Sequence, residues 1–223
     1  MNREQLRNRF RLLCDDTKAP YKFPDEEVNP LLDEAVEEAV IRARLLHESS
    51  DTDVCEIDVT AGTATYTLSP LLYEITHISF VLDGDTDRKP IKLVSEEWLD
   101  AEGPTHWRDA SDTPKYGIQD DVGLRLVPNP NANGTIKLEG YRLPASPMEE
   151  DTDSPEINAA HHRHLVQWPL RILFDIPDRD SHDPERSMKA EREFVRYFGE
   201  RPDVDLRRIT REDVVHHVRP DFP

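Results

Sequence analysis

Lysine is scarce in this chain. Of its 28 basic residues, 7 are Lys and 21 are Arg, against 46 Asp and Glu, for a formal net charge of −18. The basic excess that normally marks a nucleic-acid-binding surface is therefore missing. Cysteine is nearly absent as well. Cys14 and Cys55 cannot build a disulfide framework and are expected to be free, partly buried thiols. There is no apolar run long enough for a membrane-spanning helix. The opening MNREQLRNRF is charged from its third residue, so no signal peptide is expected. The chain is accordingly expected to be made and kept in the cytoplasm, or in a particle assembled there. No G-x-S-x-G, H-E-x-x-H, C-x-x-C, P-loop or dinucleotide fingerprint occurs, which removes the common hydrolase, zinc-protease, redox and nucleotide-binding signatures.

Hydrophobic residues make up 36% of the chain and charged residues 33%, a balance that by itself would suggest disorder. Periodicity argues otherwise. Residues 3–14 carry Leu6, Phe10 and Leu13 on one helix face, with Arg3, Arg7 and Arg11 at four-residue spacing beside it. Acids at 25–27 and the pair Asn29-Pro30 predict a helix over 30–47, with Leu32, Ala35, Val36, Ala39, Val40, Ala43 and Leu46 as its stripe. Short alternating runs then occupy residues 54–143, beginning with a predicted hairpin of 54–59 against 63–68 around Ala61-Gly62. The acidic stretch Glu149–Asp153 reads as a linker. Beyond it, Ile157, Ala160, His161, His164, Leu165, Trp168 and Ile172 restore a helix stripe over 156–175, which Pro169 is expected to kink or divide. A last helix is predicted over 184–198, with Met188, Phe194 and Tyr197 inward and Gly199 as its cap.

Neither helical flank can bury its stripe well alone. The expected fold class is α+β: a four-helix bundle formed by N- and C-terminal helices, with an inserted antiparallel β-module and an extended C-terminal tail. The expected divisions are residues 1–50 and 149–200 for the bundle, 51–148 for the β-module and 201–223 for the tail.

The most suggestive chemical cluster is His161-His162-Arg163-His164, with His182 a short loop away. Imidazoles three apart share a helix face and can bind zinc or nickel. No cysteine or well-spaced carboxylate completes such a site, so the residues are expected to line a helix seam or the surface. His216-His217 is read in the same way. Adjacent acids such as Asp15-Asp16, Asp120-Asp121 and Glu149-Glu150 are read as solvated charge rather than as acid–base pairs. No catalytic, cofactor-binding or metal-binding residue is assigned.

Several stretches taken in order resemble the head–tail adaptor (connector) proteins of tailed bacteriophages and archaeal tailed viruses. They are Phe23–Val28 leading into Leu31–Val36, Gly62–Pro70, Pro114–Ile118, Leu124–Pro130, Ile136–Pro144 (IKLEGYRLP), His164–Trp168, and Asp183-Pro184 with Phe194. The resemblance covers about residues 3–200, and Pro169 departs from it by interrupting a helix that is usually continuous. It implies a structural virion protein at the neck, a homo-oligomeric ring commonly of twelve copies. It also implies a portal protein and tail or head-completion proteins as partners, and no catalysis, cofactor or membrane. Genomic DNA would pass through without specific binding, and a strongly negative ring would let it slide. Alternatives are another neck component, such as a tail-completion or tail-terminator protein, or a small metal-binding hydrolase supported by the histidines alone. Acidity with so few lysines also fits a high-salt cytoplasm, where screening removes self-repulsion. In the tail, Leu206, Ile209, Val214, Val215, Val218 and Phe222 alternate irregularly with Arg207, Arg208, Arg211 and Arg219. These ten residues are expected to order against the portal or a neighbouring subunit.

Overall fold

A computed structural model describes residues 1–177 and 179–202. Its order begins with α1 (Arg3–Cys14) and α2 (Asp25–Ala43), followed by β1 (His47–Glu48), α3 (Thr52–Cys55), β2 (Glu56–Val59), β3 (Thr65–Thr67), β4 (Leu72–Leu82) and β5 (Arg88–Leu93). Then come α4 (Glu96–Glu102), β6 (Ser111–Asp112), β7 (Tyr116–Gln119), β8 (Gly123–Val127), β9 (Asn129–Pro130) and β10 (Gly134–Arg142). The order closes with α5 (Ala159–Leu165), α6 (Gln167–Asp175) and α7 (Pro184–Phe198). Contacts separate the described residues into two units, one of residues 1–46 with 143–201 and one of residues 47–142.

The first unit is helical. Its α1 begins with a capping box: Asn2 Oδ1 accepts from the Gln5 amide at 2.9 Å while Gln5 Oε1 accepts from the Asn2 amide at 3.2 Å. Two further amides of the first turn are satisfied from far along the chain, Arg3 by the Asp153 carbonyl at 2.8 Å and Glu4 by the Asp151 carbonyl at 3.2 Å. Leu6 and Phe10 are buried, whereas Leu13 is 39% exposed. In its place Arg7 and Arg11 go inside. Arg7 makes a two-pronged pair with Asp151 at 2.9 and 2.8 Å and reaches Asn29 at 3.1 Å. Arg11 pairs with Asp16 at 3.3 Å and with Asp25, and donates to the Phe23 carbonyl at 3.2 Å. The segment read as a solvated linker is thus a folded acidic turn. Asp153 accepts from the Glu149 and Glu150 amides at 3.0 and 2.8 Å, and the turn supplies counter-charge to α1.

Helix α2 starts at Asp25 rather than at Pro30. Its first-turn acids suit the helix dipole, and the Asp25 carboxylate is held by Arg7 and Arg11. Pro30 then removes only one early backbone bond, to the Glu26 carbonyl. The stripe Leu32, Ala35, Val36, Ala39, Val40 is buried. The helical stretch predicted over 156–175 is divided in two. α5 ends at Leu165 and α6 begins at Gln167, so Pro169 falls at the third helical position, where no intrahelical donor is needed. In α7, Asp183 caps the Arg186 amide at 3.1 Å and Gly199 takes φ 90° after the last turn. Ser187, Ala190, Phe194 and Phe198 face inward. Met188 and Tyr197, expected inside, are 57% and 39% exposed, and the α7 stripe is centred about a third of a turn away from Met188. Where four helices were expected, five are present in this unit among the described residues.

The second unit is built on β4 and β10, antiparallel over Leu72–Leu82 and Gly134–Arg142. The strand order is β1, β10, β4, β5, β7, β8, β3, and β2 also pairs with β10. Ile78, Phe80, Leu124, Leu126, Ile136 and Leu138 form the centre of its core. The predicted hairpin is not formed. Residues 52–55 make a helical turn, β2 pairs with β10, and β3 pairs with β8. The reason lies in the connection. The amides of Ala61 and Gly62 donate to Asn133 Oδ1 at 2.9 Å and the Pro130 carbonyl at 2.7 Å, not across their own turn. Lys137 also bridges to Glu56 at 2.5 Å on the paired strand. A bulge lies between Glu139 and Gly140, and a Cβ on Gly140 would come within 2.2 Å of the Glu74 carbonyl oxygen. The parallel pairing of β5 with β7 spans α4, whose N-cap Ser95 accepts from the Trp98 amide at 3.2 Å.

Glu48 organises the entry to this unit. One carboxylate oxygen accepts from the amides of Ser49, Ser50 and Asp51 and from the Ser50 hydroxyl, and the other pairs with Arg142 at 3.1 Å. The Ser50 amide and hydroxyl bonds lead in lowering its pKa from 4.5 to about 2. A carboxylate with a depressed folded pKa stabilises above its unfolded value and loses that contribution as pH falls through the folded one. Glu48→Gln is therefore expected to cost roughly 1–2 kcal/mol near neutral pH. The difference from the parent should shrink as pH falls from 4.5 towards 2, read by equilibrium denaturation at a series of pH values.

Candidate docking surfaces

The histidine cluster resolves into three different roles. His162 is buried, and its Nε2 lies 2.9 Å from the Ile157 carbonyl. A carbonyl only accepts, so Nε2 is the donor in that contact, while Nδ1 lies 3.0 Å from the Met1 carbonyl oxygen. Nδ1 also faces the Met1 backbone nitrogen at 2.7 Å. His164 stacks on the Tyr197 ring at 3.5 Å, and His161 meets the same tyrosine edge-on, its Nδ1 3.2 Å from the hydroxyl. Burial, then the nearby Arg163 and Arg9 charges, push the His164 pKa down. The imidazoles thus pin α5 to α7 and to the start of the chain. Among the described residues, no group of three His, Cys, Asp or Glu side chains is placed to hold a metal ion. Cys14 and Cys55 are free, and burial pushes the Cys55 thiol up to about 11, out of the range of a reactive thiolate.

Among the described residues, the helical unit carries two concave surfaces of note. One is a groove of about 350 Å³ where the end of α1 meets α6 and α7. Leu13, Leu170 and Phe174 supply its apolar wall, and Arg186 and Lys189 its rim, joined by Glu193. The Arg186 guanidinium lies 4.2 Å over the Phe174 ring and donates to the Leu13 carbonyl at 2.8 Å, so it is a fixed cation. The other is a cleft of about 500 Å³ between the middle of α2 and the segment 144–156. Val36, Pro147 and Met148 give it an apolar floor, and Asp33, Glu37 and Glu156 give it negative charge. Asp33 accepts from the Met148 amide at 3.0 Å. Burial raises the pKa of both Asp33 and Glu37, and the neighbouring acids Asp33, Glu34 and Glu38 raise that of Glu37 further. These surfaces can hold apolar and oppositely charged side chains, and they contain no nucleophile–base pair.

The ten tail residues predicted as a contact surface, from Leu206 to Phe222, lie outside the described residues. Neither the groove nor the cleft was anticipated. Their residues come from distant parts of the chain, and Leu13 had been assigned to a buried face. The one available signal was Arg186-Ser187-Met188-Lys189, a pair of cations on the first turns of a helix in a very acidic chain. No helix among the described residues is long and apolar enough to cross a membrane.

The sequence model of one family, described as SU10 adaptor protein, matches residues 1–217, and the chain belongs to that family. It is thus a phage adaptor, a structural component of the virion. No curated protein matches the chain.

His162→Ala is expected to lose about 1–3 kcal/mol, because it orphans a buried carbonyl. The half-exposed His161→Gln should lose under about 1 kcal/mol. Denaturation measures both, and elemental analysis of the purified protein should find no stoichiometric zinc.

Proposed function

We propose that this adaptor-family chain forms a ring of twelve copies between the portal and the tail, around the channel that the genome traverses. The observation that carries the reading is the family match over nearly the whole chain. Charge supports it. A subunit with a formal charge of −18 repels phosphate, so DNA would slide past rather than bind. The partners are then other copies of this chain, the portal protein, and tail or head-completion proteins. The C-terminal residues from Leu206 to Phe222 are the portal-facing or neighbour-facing contact, because their apolar side chains and arginines gain most by ordering against an apolar, acidic partner.

Particles made without this chain should contain filled heads and detached tails. A chain ending at residue 202 should fold yet fail to enter particles. Normal copy number of the truncated chain in complete virions would refute the tail contact. A purified assembly whose mass corresponds to a tail tube or a single copy would refute the ring.

The lysine-poor acidity further fits assembly in concentrated salt. At about 1 M salt the Debye length is roughly 3 Å, which silences repulsion between the 46 acids except at contact. The melting temperature is expected to rise between low and molar sodium or potassium chloride. A flat or falling melting curve would remove the halophilic reading.

A further inference from the structure

We propose that the cation-rimmed groove of α1, α6 and α7 docks on the acidic cleft of α2 in a second copy of this chain, as a repeating head-to-tail contact. The inference rests on the ring reading above, and it names the surfaces that would join one subunit to the next. A heterologous interface needs two different, mutually complementary patches on one molecule. The helical unit carries such a pair, and the two share no residue.

Charge selects the partner. The groove presents Arg186 and Lys189 in a chain whose net charge is −18. The cleft presents Asp33 and Glu37, both partly desolvated, and Glu37 is crowded by the acids Asp33, Glu34 and Glu38. A cation from outside would relieve that crowding. Apolar surface matches as well, with Leu13 standing 39% exposed at the groove and Val36 and Met148 flooring the cleft. Such pairing also gives polarity, because groove-to-groove or cleft-to-cleft contacts would set like charges together.

Lys189 and Glu37 are both exposed in the single chain, so reversing either should leave the fold intact. The full chain is assembled at about 0.15 M salt, where charge pairs are screened but not silenced, and its size is read by native mass spectrometry and sedimentation. Lys189→Glu alone and Glu37→Lys alone should each weaken self-association at least about tenfold, the penalty for facing like charges. The double variant should recover it. A mixture of the two single variants should also recover it, with the two alternating in equal numbers, since each groove then meets an opposite charge. Rings of parent chain unaffected by either reversal would overturn this contact and leave the ring reading standing. Parent chain that stays monomeric both alone and on the portal would overturn both. If only the chain ending at residue 202 fails to assemble and the reversals have no effect, self-association runs through the C-terminal segment instead, and the proposal is wrong.

Discussion

The helical unit depends on the arginines of α1. Its two halves are separated in the chain by roughly a hundred inserted residues, and bringing them together costs closure entropy that local helix propensity cannot offset. Arg7 and Arg11 sit on the buried side of α1, where each guanidinium needs carboxylates to be tolerated. Those carboxylates come from Asp151 on the far side of the insertion and from Asp16 and Asp25 on the near side. The Asp151 bond leads in raising the Arg7 pKa, and the Arg7 bond leads in lowering that of Asp151. The same turn offers its carbonyls to the free amides at the start of α1. One acidic turn thus answers both the helix terminus and the buried cations, which ties the register of residues 1–46 to that of residues 143–201.

This changes how the acidity of the chain reads. Asp151, Asp153, Asp25 and Asp16 are structural counter-ions and caps, and Glu48 caps a turn in the second unit. Glu34 and Glu37, in contrast, lie exposed along α2. A single composition figure merges acids that hold the fold together with acids that merely charge it. The two kinds meet at the α2 cleft, where exposed Glu37 stands beside Asp33, which holds the Met148 amide, and Asp153 of the acidic turn.

The groove has a similar history. Closing Leu6 and Phe10 into the core, with Phe23 and Phe174 as an edge-to-face chain at 5.7 and 5.9 Å, leaves the last turn of α1 beyond the core's reach. Leu13 is then stranded at the surface beside α6 and α7, and Arg186 anchors to its carbonyl. An adaptor gains from such a surface, because an apolar patch rimmed by charge favours a specific contact over general stickiness.

Sequence by itself determined the features that depend on near neighbours. The stripe of α2, the span of α7 over 184–198 and Gly199 after it follow from spacings within a few turns of helix. The family resemblance was also legible, since it rests on the order of such segments. Tertiary structure alone decided what lies far apart in the chain. β2 joins β10 rather than β3, because the turn between them bonds outward. The acids at 149–153 fold against α1, because buried arginines demand them. The break before Pro169 falls at Val166, because a proline is cheapest in a first turn. The groove and cleft were invisible for the same reason: each is assembled from segments whose meeting is set by long-range packing, and no local period encodes which charge will meet which.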